Sequence, residues 1–114
     1  MILIKALKGP NGFSKVEIGG HAGYDDIGYD IVCAAVSALS QVIALGIEKA
    51  QSTSHVVIDE RSAALAIHIG ARMDEDPREF EDAQLLLTTL ITGLADIAAQ
   101  YPKHVKLQLK TEGK

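Results

Sequence analysis

Several features are scarce or missing in this sequence of 114 residues, and each absence excludes a class of protein. The chain has a single cysteine, Cys33, so no disulfide can form within it, and a reducing, cytoplasmic setting fits best. It also lacks a basic excess, since 11 basic and 15 acidic residues give a net charge of −4. We therefore do not expect direct binding to nucleic acid.

Membrane and export signals are also lacking. No uninterrupted apolar run reaches the roughly 18 residues of a membrane span, and the first residues do not follow the basic-then-apolar layout of a signal peptide. We therefore expect no membrane partner. The composition that is present, 47% hydrophobic and 23% charged, is that of an ordinary globular protein. The length suits one domain spanning residues 1–114.

The hydrophobic pattern predicts seven elements in the order ββαββαβ. A nearly all-apolar stretch after Asp30 predicts a helix buried against a sheet, with Asp30 as its N-cap. Apolar residues at three- and four-residue steps predict a second helix, with Asp76 as its cap, Pro77 as its first residue and Tyr101 at its end. The predicted strands are 1–8, 13–18, 55–58, 63–69 and 104–110. This order predicts an α+β domain, a mostly antiparallel sheet with two helices packed on one face.

A glycine-rich loop is predicted between the second strand and the first helix. Residues 19–29 contain Gly19, Gly20, Gly23 and Gly28, four of the ten glycines in the chain. Glycine has no Cβ to restrict the backbone, so we interpret this segment as a flexible lid over a site. The loop carries aspartates and no Lys or Arg, which argues against a phosphate-binding loop.

Residues suited to covalent catalysis lie in and beside this loop. With Asp30 as the cap, Cys33 falls in the first helical turn, where free N–H groups and the helix dipole favour the reactive thiolate and can stabilise an oxyanion. Ser37 follows one turn later on the same face. His21 stands 12 residues before Cys33, on a loop that can fold back and place the imidazole beside the thiol. A cysteine nucleophile beside a general base is the requirement for covalent catalysis.

Less specific interpretations remain open beside this one. A lone cysteine in an apolar helix is most often a small core residue, and an inert α+β dimerisation module would carry the same Cys33. The four histidines and Cys33 lack the paired spacing of a zinc site, so we expect no metal and no cofactor. The consecutive Leu85, Leu86 and Leu87 predict either a dimer contact or a helix with core on two sides.

The segment from Gly20 to Ser40, GHAGYDDIGYDIVCAAVSALS, resembles the signature of the ribosomal-processing cysteine protease Prp family. That signature joins Gly-His-Ala, a glycine-containing loop and a helix start of the form Asp-x-x-Cys-Ala-Ala-Val-Ser. All of these parts are present here. The resemblance continues in Thr92-Gly93-Leu94 and Tyr101-Pro102.

The resemblance implies a small α+β domain that is commonly a homodimer. It implies a cysteine endopeptidase that removes a short N-terminal extension from a large-subunit ribosomal protein, after an aromatic residue, so that the mature subunit can assemble. By the same resemblance Cys33 is the nucleophile, His21 the general base, and Asp30 and Ser37 the orienting or hydrogen-bonding residues. A non-catalytic ribosome-assembly or interaction module of the same fold is the alternative, and the presence of both His21 and Cys33 argues against it.

Overall fold

Seven elements follow one another in the order that the hydrophobic pattern predicts. A computed structural model of the chain describes residues 1–20, 27–59, 64–71 and 76–112, with the side chains of residues 27–30 excepted. The elements are β1 (Ile2–Gly9), β2 (Gly12–Gly19), α1 (Ile27–Ala50), β3 (His55–Asp59), β4 (Ala64–His68), α2 (Pro77–Gln100) and β5 (Val105–Thr111). The predicted α+β order ββαββαβ is confirmed.

The five strands form a single mixed sheet in the order β3-β4-β2-β1-β5. Three neighbouring pairs are antiparallel, and β1 pairs with β5 in parallel, Ile4 standing opposite Leu107. The prediction of a mostly antiparallel sheet is therefore confirmed. β5 therefore forms one edge of the sheet, and β1 lies inside the sheet with a hydrogen-bonded neighbour on each side, β2 and β5.

The turn between β1 and β2 forms where Gly-Pro-Asn-Gly predicts a hairpin. Gly9 stands opposite Gly12, and Gly12 has a φ of +131°, a conformation that favours glycine. The register shifts between Leu7 and Lys8. Near this irregularity the Gln84 side chain accepts a hydrogen bond from the Phe13 N–H and donates one to the Phe13 carbonyl. The Gln84 amide thus satisfies both backbone polar groups of Phe13 and links α2 to the β1–β2 hairpin.

One face of the sheet packs against both helices and forms the hydrophobic core. The buried strand residues are Ile2, Ile4, Ala6, Val16, Ile18, Ile67 and Val105. The buried helix residues include Val32, Val36, Ile47, Phe80, Leu87, Leu90 and Leu94. Alternate strand residues such as Lys5, Lys15 and Glu17 point to the opposite face. The alternation of β5 puts Leu109 on the same face as the buried Val105, but Leu109 is exposed near the end of this edge strand.

The ends of α2 match the sequence prediction. The carboxylate of Asp76 accepts a hydrogen bond of 2.8 Å from the Arg78 N–H, and Pro77 is the first helical residue. The helix closes at Tyr101, whose N–H donates to the Ile97 carbonyl. Both ends could be predicted because caps depend on a few neighbouring residues.

The start of α1 differs from the prediction. The helix begins at Ile27, so Asp30 is not the N-cap but the fourth residue of the helix. The helix dipole stabilises a carboxylate anywhere in the first turn. The sequence alone therefore does not show whether an aspartate is the N-cap or a residue of the first turn. The same shift places Gly28 inside α1 and Gly19 at the end of β2, so the predicted loop of residues 19–29 is shorter at both ends.

The nearly all-apolar α1 packs on the core as the sequence predicts, but only one of its sides is buried. One side packs on the core, whereas Ile31, Val42 and Leu45 are all more than 60% exposed. By length and composition alone both helices could also span a membrane, with a mean hydropathy of 1.9 over Ile31–Ala50 and 1.2 over Pro77–Gln100. Ser37, Ser40 and Gln41 interrupt the apolar run of α1, so no uninterrupted run is long enough for a span although the average hydropathy is high. In this structure both helices contribute buried side chains to the core.

Candidate active site

A cavity of about 420 Å³ lies between α1 and the strands. Gly19 and Gly20 form part of its wall at the end of β2, and Ala64 lies at the start of β4. No atom lies within 4 Å of the position that a Cβ would take at Gly19, so this glycine leaves open space at the wall. The apolar part of the wall comes from Ile2, Ile18, Val36, Ile58 and Leu65. The cavity is thus a largely apolar recess into which one side of α1 projects.

Cys33 lines this cavity from α1. Its thiol is free, the residue is half-buried, and it packs against the edge of the core. Because α1 begins at Ile27, Cys33 is the seventh helical residue and lies in the second turn, not the first. An N–H in the second turn is bonded within the helix, so the amides around Cys33 are not the free oxyanion donors that the sequence argument expected. The amides of α1 that have no partner within the helix are those of residues 27–30.

Ser37 lies beside Cys33 in the same cavity, as its spacing of four residues predicts. Its Oγ accepts a hydrogen bond of 3.0 Å from Nε2 of Gln41, which also lines the cavity. A hydroxyl that accepts through its oxygen still has its own proton to donate. Ser37 can therefore donate a hydrogen bond to a ligand held beside the thiol.

Gly20 directs the chain as it leaves β2 at the cavity wall. Its φ is +111°, and a Cβ at this position would overlap the carbonyl oxygen of Met1. No side chain fits here without a shift of the backbone, which explains physically why glycine precedes His21. His21 and Gly23 lie outside the described residues, as does the side chain of Asp30. The pairing of His21 with Cys33, the orienting role of Asp30 and the lid motion therefore stay predictions.

Two further polar residues reach this cavity that the sequence analysis did not select. Asp59 follows the predicted strand 55–58 and is the last residue of β3, and only the strand pairing brings it to the cavity of Cys33. Ser40 could have been found, because residues 33, 37 and 40 follow helical spacing and share one side of α1. In the described parts of the chain, no group of three His, Cys, Asp or Glu residues is placed to hold a metal ion.

Comparison with solved structures shows proteins of the same fold. SMU.848 from Streptococcus mutans aligns with a TM-score of 0.82 and 29% identity, covering 98% of this chain and 96% of that chain. The essential ribosomal processing protease Prp from S. aureus, in complex with a substrate peptide, aligns with a TM-score of 0.80 and 24% identity, covering 96% of this chain and 100% of that one. A second structure of the S. aureus protease, in complex with a covalently linked product peptide, aligns with a TM-score of 0.77 and 25% identity. It covers 96% of this chain and 100% of that chain.

No curated protein sequence matches the chain. A family model described as cysteine protease Prp matches residues 1–106, nearly the whole length of 114 residues. The match includes the cavity and its free cysteine. The chain therefore belongs to the cysteine protease Prp family.

Proposed function

We propose that this protein is a cysteine endopeptidase that removes a short N-terminal extension from a large-subunit ribosomal protein. The observation that carries the proposal is the placement of Cys33. The only cysteine of the chain lines the cavity between α1 and the sheet, in a protein that matches a cysteine protease family over residues 1–106. A cysteine whose only role is core packing is usually enclosed by other side chains, whereas Cys33 lies beside an open cavity.

The proposed reaction proceeds through a thioester. His21 removes the proton from the Cys33 thiol, and Sγ attacks the carbonyl carbon of the scissile bond. The oxyanion that forms needs hydrogen-bond donors, and the Ser37 hydroxyl, whose oxygen accepts from Gln41, has its proton available for this. The bond to nitrogen then breaks, and the imidazolium returns the proton to the leaving amine. Water attacks the thioester, releases the acid and restores the thiol.

The proposed substrate is an extended peptide, because the recess beside α1 has room for side chains and is lined mainly by apolar groups. An aromatic residue before the cut, which the family resemblance implies, suits such a wall. The S. aureus protease has been solved with a substrate peptide and with a covalently linked product peptide. A lone thiol stays reduced in the cytoplasm, which is where we place the reaction.

The protein is further proposed to act as a homodimer. The outward side of α1 forms an apolar stripe that no described residue covers, here called the α1 stripe, and it consists of Ile31, Ala34, Ala35, Ala38, Val42 and Leu45. By contrast, the leucines of α2 point in different directions. Leu87 is fully buried, Leu86 packs against the core, and only Leu85 is exposed. The α1 stripe is therefore the better candidate for contact with a second copy.

The catalytic proposal is tested by cleavage of a peptide copied from the N-terminus of the organism's own large-subunit ribosomal protein. We expect the wild-type protein to release the extension at one bond, and the Cys33→Ala variant to show only the uncatalysed background. Alanine suits a helix, so the variant is expected to keep the fold, which circular dichroism checks. Ser52→Ala, a substitution at an exposed serine outside the cavity, serves as the control that retains cleavage. Equal cleavage by wild type and Cys33→Ala contradicts the proposal.

A further inference from the structure

The face of the sheet opposite the helices is open among the described residues. Strand side chains alternate between two faces, and no described strand residue that points away from the helices is buried. Lys5 on β1 and Lys106 and Lys110 on β5 belong to this open face. The two lysines of β5 are exposed, and Lys5 is half-buried. These three residues, here called the lysine cluster, are therefore accessible to a partner.

The strand register places the three lysines close together. Lys5 stands opposite Gln108, and Lys106 and Lys110 flank Gln108 two residues away on either side. With about 3.3 Å per residue along β5 and about 4.8 Å between strands, Lys5 lies roughly 8 Å from each of the other two lysines at the level of the backbone. Like charges at this spacing repel one another, and a bound anion relieves the repulsion. The lysine cluster is therefore suited to an anionic partner.

Acidic residues of the described chain do not neutralise the lysine cluster. β1 and β5 contain no Asp or Glu. Glu17, which stands opposite Lys5 on β2, forms an ion pair of 3.2 Å with Lys15. The carboxylate of Glu112, just after β5, accepts a hydrogen bond from the Ser14 hydroxyl. No ion pair joins a lysine of the cluster to another described residue.

The helix side of the molecule carries charge of the opposite sign. α2 and its cap hold five acidic residues and one basic residue, namely Asp76, Glu79, Glu81, Asp82, Asp96 and Arg78. The net charge of −4, from which no nucleic-acid partner was expected, therefore sums over two sides of unlike sign. A sum of this kind does not exclude a basic surface on one face of the sheet.

The open face also offers groups that contact nucleobases. The rings of His55 and His68 stack on it with centroids 4.4 Å apart, and His55 is exposed. In the strand register one row across the sheet contains His55, His68, Lys15 and Lys110. Histidine rings stack on unpaired bases, and the carboxamide of Gln108 can both donate and accept hydrogen bonds. An acidic peptide could pair with the lysines but has no base to stack on an imidazole.

We propose that the open face of the sheet binds single-stranded RNA, with the lysine cluster on the phosphates and the His55 ring on a base. The inference goes beyond the peptidase activity, and the choice of RNA rests in part on the proposed function, since the substrate proposed above is a protein of the ribosome. The α1 stripe belongs to the helix side, so the open face stays accessible in the proposed dimer. RNA bound here holds the enzyme where its substrate is assembled.

Fluorescence anisotropy with a labelled oligouridine of about 12 nucleotides tests the inference. For wild type we expect a Kd in the micromolar range at about 50 mM salt. Three phosphate contacts at roughly 0.7 each predict a slope of about −2 for log K against log salt concentration. The double variant Lys106→Gln with Lys110→Gln loses two of these contacts. It should bind about tenfold more weakly, with a slope of about −0.7.

The matched control removes two positive charges from the helices instead. Lys49→Gln with Arg78→Gln changes the net charge by the same amount, at exposed residues of α1 and α2. This variant should keep the wild-type Kd and slope, and circular dichroism checks the fold of both double variants. An equal loss of affinity in the two double variants, or no binding by wild type, would overturn the inference.

Two further measurements identify the class of partner. His55→Ala should weaken binding about tenfold without changing the salt slope, because stacking on a base involves no phosphate. Unlabelled oligouridine should displace the probe at a lower concentration of negative charge than polyglutamate does. An unchanged Kd for His55→Ala, or equal displacement by polyglutamate, would contradict RNA as the partner.

These outcomes are separate from those of the peptidase proposal. The Lys106→Gln, Lys110→Gln variant should cleave the isolated N-terminal peptide with the wild-type kcat/KM, since neither lysine lines the cavity of Cys33. If wild type cleaves the peptide and binds no RNA, the RNA inference is overturned and the peptidase proposal stands. If wild type binds RNA at the lysine cluster and cleaves no peptide, the peptidase proposal is overturned and the RNA inference stands.

Discussion

Cys33 presents its thiol to a recess between a helix and a sheet, and the chemistry of the site depends on which groups can reach that sulfur. The structure places Ser37 and Asp59 in the same recess. The helix dipole contributes less than a first-turn position would give, because six helical residues precede Cys33 in α1. Activation of the thiol therefore depends more strongly on a base, and His21 is the residue proposed for that role.

The contribution of His21 can be measured without a substrate. At pH 7 an ordinary cysteine is only a few per cent thiolate, and the thiolate is the form that iodoacetamide alkylates. If His21 holds the proton of Cys33 as an imidazolium, its replacement by alanine lowers the alkylation rate near neutral pH by about tenfold. The rate is followed by intact-mass spectrometry, with His104→Ala as the control that keeps the wild-type rate. An equal rate for His21→Ala and wild type would show that the imidazole does not act on the thiol.

At the residue scale, spacing along one helix could be predicted and contacts across the fold could not. The step of four residues from Cys33 to Ser37 correctly predicts a shared face. The same rule applies to Ser40, although nothing local shows that its hydroxyl is left without a partner. Asp59 reaches the cavity only through the pairing of β3 with β4, which no short motif encodes.

The β3–β4 hairpin brings two histidines together on one face of the sheet. His55 stands opposite His68, and their rings stack with centroids 4.4 Å apart and an angle of 8° between the planes. Burial, and to a lesser extent the neighbouring His55 and Lys15, lower the pKa of His68 below its ordinary value of 6.5, while Glu17 acts in the opposite direction. The folded protein therefore binds a proton at His68 less tightly than the unfolded chain does.

This pKa shift predicts a loss of stability on the acidic side. The contribution of His68 is fully present above the unfolded pKa of 6.5 and is lost as the pH falls through 6.5 toward the lower pKa of the folded state. The free energy of unfolding, measured by guanidinium titration at pH 7.5 and at lower pH, should decrease over that range. His68→Gln should reduce the decrease, whereas His104→Gln should leave it as in wild type. A steeper or unchanged decrease in His68→Gln would refute the assignment.

At the element scale, the two helices differ in how well local signals predicted them. Asp76, Pro77 and Tyr101 define the ends of α2 through a side-chain cap, a fixed φ and a disfavoured residue before proline. In α1 the favourable aspartate lies within the first turn, three residues after the helix begins. An aspartate near a helix start therefore fixes the boundary only to within a turn.

The described part of the molecule covers one side of α1 and leaves the opposite side apolar and exposed. A homodimer formed through the α1 stripe would bury this surface. We expect wild type to run as a dimer in size-exclusion chromatography with light scattering, and Val42→Glu to run as a monomer because a carboxylate would be desolvated in the contact. Leu85→Glu is the matched control on α2, since Leu85 and Val42 are 68% and 66% exposed. It should remain a dimer.

The reverse result, a dimer lost with Leu85→Glu and kept with Val42→Glu, would place the contact on α2, which is one of the two alternatives that the three consecutive leucines indicate. A wild-type monomer at all concentrations tested would contradict the dimer altogether.

At this scale the element order was predictable, and the sheet order and the exposure of α1 were not. Each strand has its own hydrophobic pattern, but the parallel pairing of β1 with β5 depends on where α2 returns the chain. A helix with apolar residues all round is typical of a buried element. Only the finished packing shows that α1 has one sheet beside it and no second layer of described residues over Val42 or Leu45.

Intact-mass spectrometry of rapidly quenched reactions detects the proposed thioester between Cys33 and the substrate. With the N-terminal peptide of the large-subunit ribosomal protein, we predict that wild type gains the mass of the released extension less one water, and that tandem spectra locate the gain on Cys33. The Cys33→Ala variant should show no gain. Peptide cleavage with no adduct on Cys33, or an adduct that persists in Cys33→Ala, would show that Cys33 is not the nucleophile.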